Sequence, residues 1–388
     1  MKPKLLFIIG TMDSGGISKS MISLLNTMDK DKYEIDLFIL YPFGLCMDLI
    51  PDKINILTNE KLSLILAPFP QCILLPLKKG HLITAFLRLM IAFISRINHG
   101  YSAWILSKLV PINDTKYDTV IDYNGQYLLY YMVDKVVAEK KISFFHFDYS
   151  KWNHYHSIDK KYYPKVNYIF NVSESCADSM KKYFPECVDK IKIMENISSV
   201  KLLYEMSENN ITDFDLEIPS ILTIGHINTQ KGSDLAINAA AILKKNDVKF
   251  KWYFIGSCKE INRYNDLKKK LDVEDEIIFL GLRSNPYPYI KLSTIFCLPS
   301  QFEGKSIALD EAKILCKPIV VTNFSTVYDQ FEDKTNATIC EMNPIDLADA
   351  LSELLSNKYL REEYINYLKI NLKDNSSEIE NLYNALRD

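Results

Sequence analysis

Two carboxylates eight positions apart, Glu303 and Glu311, are the residues of this sequence whose type and spacing are best suited to chemistry. Between them stand a glycine, a serine and the start of an apolar run that favours a helix. The apolar segments 294–300 and 317–322 on either side predict buried strands. The order of elements is therefore strand, loop, helix, strand, as in a parallel α/β sheet.

The loop of this unit would lie at the carboxyl end of the sheet, where ligands bind in such folds. We expect the N–H groups of Lys305, Ser306 and Ile307 to face an anion, which the helix dipole also favours. Carboxylates accept hydrogen bonds from sugar or ribose hydroxyls. Glu303 would do so from the loop and Glu311 from about two turns into the helix. A ligand with a phosphate for these N–H groups and a hydroxyl-rich group for each carboxylate is a nucleotide sugar, which we therefore predict.

A second loop, residues 225–232, also follows a predicted strand and precedes an amphipathic helix. Gly225 lets the backbone approach a ligand closely, and Gly232 frees the turn. Lys231 places a cation where a diphosphate would bind. A loop lysine is most often only solvated, but the two carboxylates that follow in the chain favour a ligand site.

The glycine-rich loop after the first predicted strand, residues 10–20, gives a weaker signal. Gly16 and Ile17 stand where a P-loop needs lysine and serine or threonine, and the GxGxxG of dinucleotide folds is missing. What remains is Gly15 beside Gly16 at a helix start, which a tight turn explains equally well. His146 ends another predicted strand, where a structural and a functional role both stay open.

Composition sets limits on the class of protein. A chain of 388 residues predicts two domains. The net charge of −3, from 46 basic and 49 acidic residues, argues against nucleic acid as a partner. The eight cysteines show no metal-ligand spacing and predict reduced thiols in a cytosolic protein. The first apolar run ends at Gly10, which predicts a strand rather than a signal peptide, and no apolar run is long enough to span a membrane.

Strands and helices alternate in both halves of the sequence, as in doubly wound domains. In the first half we predict strands at 4–9, 34–40, 119–122, 142–146 and 168–172 and a helix at 18–28. In the second half we predict strands at 220–224, 250–255, 277–280, 293–298 and 319–321 and helices at 234–245, 262–271, 346–355 and 360–372. The polar stretch 201–217 is the predicted linker, and its Asp213-Phe214-Asp215 does not follow a buried strand, so we do not interpret it as a metal site.

Residues 62–97 form an apolar insertion with several prolines and a helical pattern at 82–97. One interpretation is a buried helical insertion. The other is an amphipathic patch that lies on a membrane surface, because Lys78, Lys79, Arg88 and Arg96 accompany the apolar residues.

The motifs together resemble a known enzyme family. The chain is similar to the retaining glycosyltransferases of family 4, whose architecture is called GT-B, over nearly its whole length. The residues that carry the resemblance are Gly15, Gly16, His146, Ser173, Asn196, Gly225, Lys231, Gly232, Glu303 and Glu311. It implies an α/β fold class with two Rossmann-like doubly wound parallel-sheet domains facing a cleft.

The resemblance implies an acceptor-binding domain over 1–205 and a nucleotide-sugar-binding domain over 215–370. A C-terminal helix at about 370–388 would pack back on the first domain. Lys231 would contact the diphosphate and Glu311 the ribose hydroxyls.

Glu303 would bind the hydroxyls of the donor sugar, and His146 would line the sugar site from the other domain. The remaining implied contacts are Gly225, His226, Gly304, Lys305, Ser306 and Ile307 for the donor, and Gly15 and Gly16 for the acceptor side.

The implied reaction is transfer of a sugar from a nucleotide-diphosphate sugar to a glycan or lipid-linked acceptor, with retention and in polysaccharide biosynthesis. No cofactor and no metal are implied, since Lys231 and helix dipoles would offset the charge of the leaving group. His226 stands where the family usually has arginine, and Lys305 is placed to compensate. Two alternatives stay open: a catalytically silent nucleotide-sugar-binding or scaffold protein, and a nucleotide-sugar epimerase.

Overall fold

The computed structural model describes residues 2–13, 15–372 and 374–388, with only the backbone at residues 60 and 61. Contacts divide the chain into two compact units. Unit 1 is Met1–Ile197 together with Ser377–Asp388, and unit 2 is Ser198–Ser376. The acceptor and donor roles of the two halves stay predictions.

Strands and helices alternate through the first part of the chain. In order, up to residue 193, they are β1 (Lys4–Ile9), α1 (Gly16–Thr27), β2 (Glu34–Ile39), β3 (Asn55–Leu57), α2 (Glu60–Leu66), α3 (Gln71–Lys78), α4 (Leu82–Ile97), α5 (His99–Leu109), β4 (Asn113–Asp122), α6 (Tyr127–Lys135), β5 (Val136–Phe145), α7 (His156–Asp159), β6 (Tyr168–Asn171), α8 (Glu174–Tyr183) and β7 (Ile191–Ile193).

From residue 200 onward they are α9 (Val200–Ser207), β8 (Ser220–Ile224), α10 (Ser233–Lys245), β9 (Lys251–Ile255), α11 (Ile261–Lys270), β10 (Ile277–Gly281), α12 (Tyr287–Leu292), β11 (Ile295–Leu298), α13 (Ile307–Ile314), β12 (Ile319–Thr322), β13 (Thr338–Cys340), α14 (Pro344–Ser356), α15 (Lys358–Ile370) and α16 (Ile379–Arg387).

Each unit is built on one parallel sheet. Among the described residues the strand order is β3-β2-β1-β4-β5-β6-β7 in unit 1 and β10-β9-β8-β11-β12-β13 in unit 2. In both sheets the order reverses between the first strand and the fourth, which lie side by side. Ligands of open α/β sheets bind at such a switch point. The predicted α/β fold class with two doubly wound parallel sheets is confirmed.

Apolar runs located the buried parts of the strands but not their full length. β1 has the predicted bounds because every residue after Lys4 in it is buried. β4 and β5 extend further toward their amino ends, where the charged side chains are exposed or half-buried. A search for apolar runs detects only the half of such a strand that crosses the core.

The last helix, α16, packs within unit 1. Ile379, Leu382 and Ala385 are buried there. The ring of Tyr383 stacks on Tyr33 with 5.6 Å between centroids, and its hydroxyl accepts a 2.8 Å hydrogen bond from the N–H of Asp29.

The apolar insertion of residues 62–97 forms the helices α2 to α4. α4 has the predicted bounds, but one whole face of it is solvent-exposed. The interpretation of this segment as a buried insertion is therefore wrong for α4. None of the described helices is both long and apolar enough to cross a membrane.

A buried carboxyl group lies in the core of unit 1. Asp159 accepts hydrogen bonds from the hydroxyls of Tyr130, at 2.5 Å, and Tyr149, at 2.6 Å. Burial nevertheless raises the pKa of Asp159 to about 7, because the low-dielectric core disfavours the charged form.

We expect Asp159→Asn to flatten the pH dependence of stability. Between about pH 4 and pH 7 the folded protein keeps a proton on Asp159 that the unfolded chain has lost. The contribution of Asp159 to the free energy of unfolding therefore falls as the pH rises, by about 2 kcal/mol from pH 5 to pH 7. Burial lowers the pKa of His146 to about 4, which acts with the opposite sign. The contribution of Asp159 is therefore the difference in the free energy of unfolding between the variant and the native protein. Urea unfolding at pH 5 and pH 7 measures it, and the same change with pH in both proteins would contradict the prediction.

Candidate functional site

The two loops singled out in the sequence follow neighbouring strands of unit 2. β8 pairs with β11 in parallel, so the segments after Ile224 and Leu298 leave the sheet at the same edge. That edge is the switch point of this sheet. The backbone joins the two loops directly, since the N–H of Gln301 donates to the carbonyl of Gln230 at 2.8 Å.

Lys231 and Glu303 form an ion pair between these loops. The Nζ of Lys231 donates to both carboxylate oxygens of Glu303, at 2.6 and 2.8 Å. The lysine side chain is 21% exposed and the glutamate 9%. Ser300 Oγ donates to the same carboxylate at 2.7 Å, and Thr326 Oγ1 donates to the Glu303 carbonyl at 3.0 Å. A partly buried cation and anion with two supporting hydroxyls make a fixed polar centre.

Gly232 is required by the close approach of the two loops. Its φ is +71°, and a Cβ at this position would lie 1.7 Å from the carbonyl oxygen of Pro299. Gly225 has φ +155°, and a Cβ there would contact the aliphatic carbons of Lys231 at 3.6–3.7 Å. Glycine at these positions thus sets the course of the loop that carries the lysine.

Glu311 is placed differently from the prediction. α13 begins at Ile307, so Glu311 is little more than one turn into the helix rather than two. Its side chain is 2% exposed. The hydroxyl of Tyr287, on α12, donates to its Oε1 at 3.0 Å.

Ligand contacts in an open cleft would leave Lys231, Glu303 and Glu311 exposed and their replacement without effect on stability, but the structure does not place these side chains at the surface. Both carboxylates are buried and the lysine is mostly so. Removing one member of a buried polar pair leaves the other unsatisfied, at a cost of about 1–3 kcal/mol. Variants at these positions therefore need isosteric controls.

The N–H groups at the start of α13 were predicted to be free for an anion. For Ser306 this is wrong, because its N–H donates to Oε1 of Gln330 at 3.0 Å. The amide of Gln330 also donates to the Ser306 carbonyl and to Asp310, both at 3.0 Å. Gly304 is buried beside this contact and Lys305 is half-buried. Gln330 thus holds the loop between β11 and α13 in place.

His226 is exposed, and its Nδ1 lies 2.7 Å from the Oγ of Ser257. Ser257 follows β9, the strand on the other side of β8. The ring is therefore oriented by a hydroxyl from a third loop at the same edge of the sheet.

His146 lies in unit 1, directly after β5. It is buried between aromatic rings, with its centroid 4.7 Å from that of Tyr123. Burial lowers the pKa of His146 to about 4, despite hydrogen bonds with Asn196 and with the backbone of Tyr123. The imidazole is thus neutral near pH 7. Its Nε2, and both amide atoms of Asn171 at the end of β6, have no hydrogen-bond partner among the described residues.

Gly15 is the N-cap of α1 with φ −73°, and a Cβ there would lie within 4 Å of none of the described residues other than its chain neighbours. Gly16 is the first residue of that helix. Neither packing nor backbone strain within unit 1 requires glycine at position 15. A close approach by a ligand stays a prediction for this loop, whose Ser14 lies outside the described residues.

Several residues of the site were not found in the sequence. Ser300, Thr326 and Gln330 fix the Glu303 loop, Tyr287 contacts Glu311, and Ser257 orients His226. All are common polar types without a motif, and their contacts are set by the fold. Ser300 was the only one with a sequence signal, because it closes the strand before the loop.

No group of three or more metal-ligating side chains occurs in the described ranges. Asp213 of the Asp-Phe-Asp triplet is engaged in other contacts. One of its oxygens pairs with Arg283 at 2.6 Å, and the other accepts from the hydroxyl of Tyr289 at 2.7 Å. These contacts tie the polar segment after α9 to unit 2.

Comparison with known proteins finds a family match over the segment that contains these loops. Residues 207–370 match the family model of glycosyl transferases group 1. The matched segment includes Lys231, Glu303 and Glu311 and the elements from β8 to α15.

Two of the curated relatives that match part of the chain indicate the kind of protein it is similar to. A Haemophilus influenzae protein described as an uncharacterized glycosyltransferase is 34% identical over 147 residues, 37% of this chain and 42% of that protein. A Campylobacter jejuni protein, N-acetylgalactosamine-N,N'-diacetylbacillosaminyl-diphospho-undecaprenol 4-alpha-N-acetylgalactosaminyltransferase, is 26% identical over 228 residues, 57% of this chain and 61% of that one. This chain thus spans only about half the length of these relatives.

The solved structure of Anabaena HepE in complex with UDP and glucose has a TM-score of 0.70 to this chain at 12% identity, and 100% of both chains is covered. At this identity the likeness shows the fold alone, which is that of the GT-B glycosyltransferases.

Proposed function

We propose that this chain is a glycosyltransferase that takes its sugar from a nucleotide-diphosphate sugar bound by unit 2. The observation that carries the proposal is the Lys231–Glu303 pair at the switch point of the sheet, inside the segment that matches the group 1 family model. The donor nucleotide we propose is UDP, the one present in the HepE complex.

The pair suggests how the donor would be recognised. Diphosphate oxygens compete with Glu303 for the cation of Lys231 and release the glutamate carboxylate. That carboxylate then accepts hydrogen bonds from the hydroxyls of the sugar. Glu311 accepts from the ribose, with Tyr287 fixing its orientation. Gly225, His226, Gly304, Lys305 and Ile307 line the same loops and complete the proposed donor contacts, while the Ser306 backbone stays with Gln330.

We propose transfer with retention, as in family 4. The bond between the anomeric carbon and the diphosphate oxygen breaks, and the acceptor hydroxyl oxygen bonds to that carbon on the same face. The acceptor's proton passes to the departing diphosphate. Lys231 stabilises the negative charge that grows on the leaving group, so no enzyme nucleophile is needed.

The acceptor we propose is a glycan or a lipid-linked glycan bound by unit 1, in polysaccharide biosynthesis. The Campylobacter relative, named for an undecaprenyl-diphosphate-linked substrate, supports this class. Gly15 and Gly16 would line the acceptor side. His146 would line the sugar site as a neutral imidazole, for which its lowered pKa is suited.

The replacement of the family's usual arginine by His226 favours one alternative, a protein that binds the donor without turnover. A thermal-shift screen of nucleoside diphosphates and their sugars, followed by a turnover assay, separates the two. A ligand at 100 times its dissociation constant stabilises the fold by about 2.7 kcal/mol. Stabilisation by a nucleotide sugar with release of the diphosphate is expected. Stabilisation without release would identify a binding protein, and no stabilisation by any of these ligands would refute the donor site.

We expect transfer to be independent of divalent metal, because Lys231 supplies the positive charge and Asp213 is occupied by Arg283 and Tyr289. Rates measured in EDTA and after addition of manganese should agree within about twofold. Activity that disappears in EDTA and returns with manganese would contradict this.

A further inference from the structure

The apolar face of helix α4 in unit 1 points to solvent. Its exposed face carries Leu82, Ile83, Phe86, Met90, Phe93 and Ile97, spaced as one side of a helix, and Ile83 and Ile97 are 79% and 74% exposed. A surface helix of a globular protein normally buries such a stripe and exposes its polar side. α4 does the opposite.

The face of α4 that meets the protein is small and partly polar. Ala85 and Ile91 are buried there, and Thr84, Arg88 and Ser95 are half-buried. The Nε of Arg88 is fully enclosed. Arg88, expected among the surface cations, therefore belongs to the inward face. The outward arrangement of Phe86 and Phe93 is fixed by what packs on the other side.

The apolar face of α4 continues onto the neighbouring helix. α3 packs beside α4 and exposes Leu74 and Leu77, and Phe69 just before it is also exposed. Monomeric proteins rarely expose apolar patches of this kind unless the patch is a binding surface for a partner or a membrane.

The segment that carries this surface has charged side chains of one sign only. Residues 61–113 contain no aspartate or glutamate, although the whole chain has 49 of them. Lys78 and Lys79 are exposed at the junction of α3 and α4, and Arg96 is exposed in the last turn of α4. An apolar face on a segment that carries cations and has no carboxylate of its own is complementary to the headgroups and acyl chains of an anionic bilayer.

We infer that the outward face of α3 and α4 is a docking surface for an anionic lipid bilayer, on which α4 lies in the plane of the interface. The apolar side chains enter the boundary between headgroups and acyl chains, and Lys78, Lys79 and Arg96 pair with lipid phosphates. The site goes beyond the proposed transferase activity and does not depend on it.

The test is co-sedimentation of the full chain with vesicles of equal parts phosphatidylglycerol and phosphatidylcholine. The native chain should bind these vesicles and bind pure phosphatidylcholine much more weakly. Phe86→Ser with Phe93→Ser should weaken binding by more than about tenfold for each side chain. Lys78→Glu with Lys79→Glu should weaken it by at least about 25-fold, since each cation contributes about fivefold at an anionic surface.

Matched controls come from unit 2. Tyr359→Ser with Ile370→Ser removes an aromatic and an aliphatic side chain that are each 83% exposed, more than Phe86 at 62% and Phe93 at 59%. Lys269→Glu with Lys270→Glu reverses another exposed lysine pair. Both should bind vesicles like the native chain. If the phenylalanine variant does not fold, the lysine variant still tests the inference. Lys78 and Lys79 lie at the surface, so we expect their replacement to leave the fold intact.

Three outcomes would overturn the inference. The first is that the native chain does not bind vesicles, and the second is that the surface variants and the controls lose vesicle binding equally. The third is that the native chain sediments as a dimer, does not bind vesicles, and is dissociated by Phe86→Ser with Phe93→Ser. The last would assign the surface to a second copy of the chain. Since no sugar donor is present, none of these outcomes bears on the transferase proposal.

Discussion

Lys231→Ala is expected to weaken binding of a bare nucleoside diphosphate by about 100-fold or more. The variant loses a charged hydrogen bond to the ligand and also leaves the carboxylate of Glu303, 9% exposed, without its cation. An unneutralised anion would then face an incoming anion. Titration calorimetry with UDP measures the loss, and Lys245→Ala, an exposed lysine on α10, is the matched control.

The same contact predicts the opposite result for Glu303. In the free protein its carboxylate occupies the Nζ of Lys231 through two oxygens. Glu303→Ala should therefore bind bare UDP as tightly as the native chain or several-fold more tightly, while sugar transfer falls by about ten- to a hundredfold. The double variant should bind UDP better than Lys231→Ala alone. Equal weakening of UDP binding by the two single variants would contradict the proposed exchange of partners.

Glu311→Ala is expected to reduce both nucleotide binding and stability. The side chain is buried, and its removal leaves the hydroxyl of Tyr287 without this acceptor, at a cost of about 1–3 kcal/mol in the free energy of unfolding. Loss of the ribose contact should weaken UDP binding by about tenfold or more. Urea unfolding and calorimetry on the same preparation measure the two effects.

Two neighbouring substitutions separate these effects. Glu311→Gln keeps the acceptor oxygen for Tyr287 and should retain stability while UDP binds less tightly. Tyr287→Phe removes the hydroxyl and should lower stability by about 1 kcal/mol with a smaller loss of binding. If Tyr287→Phe weakens UDP binding as much as Glu311→Ala does, Glu311 acts only through the fold and not on the ribose.

Much of the fold was predictable because parallel strands are buried on both faces and form continuous apolar runs. β1 and β8 were located with their observed bounds. The loops of Lys231 and Glu303 could also be placed together, since both follow strands and the carboxyl ends of parallel strands share an edge. Their direct ion pair was not predicted, because spacing along the chain does not determine how two side chains point.

The rest depended on contacts that have no local signal. Gln330 reaches Ser306 across 24 residues, and Tyr287 meets Glu311 from a different helix. Burial of a carboxylate depends on such partners, so the motif alone did not show that Glu311 is buried. The amphipathic pattern of α4 was visible in the sequence. Its orientation was not, since either face of a helix can pack inward until its neighbours are known.

The most direct test of the central claim is release of UDP from UDP-sugars by the purified chain supplied with a lipid-linked glycan acceptor. The account predicts acceptor-dependent release that Lys231→Ala and Glu303→Ala each reduce by at least about tenfold, with Lys245→Ala unchanged. Release that is the same in all four proteins, or none with any UDP-sugar that stabilises the fold, would contradict it.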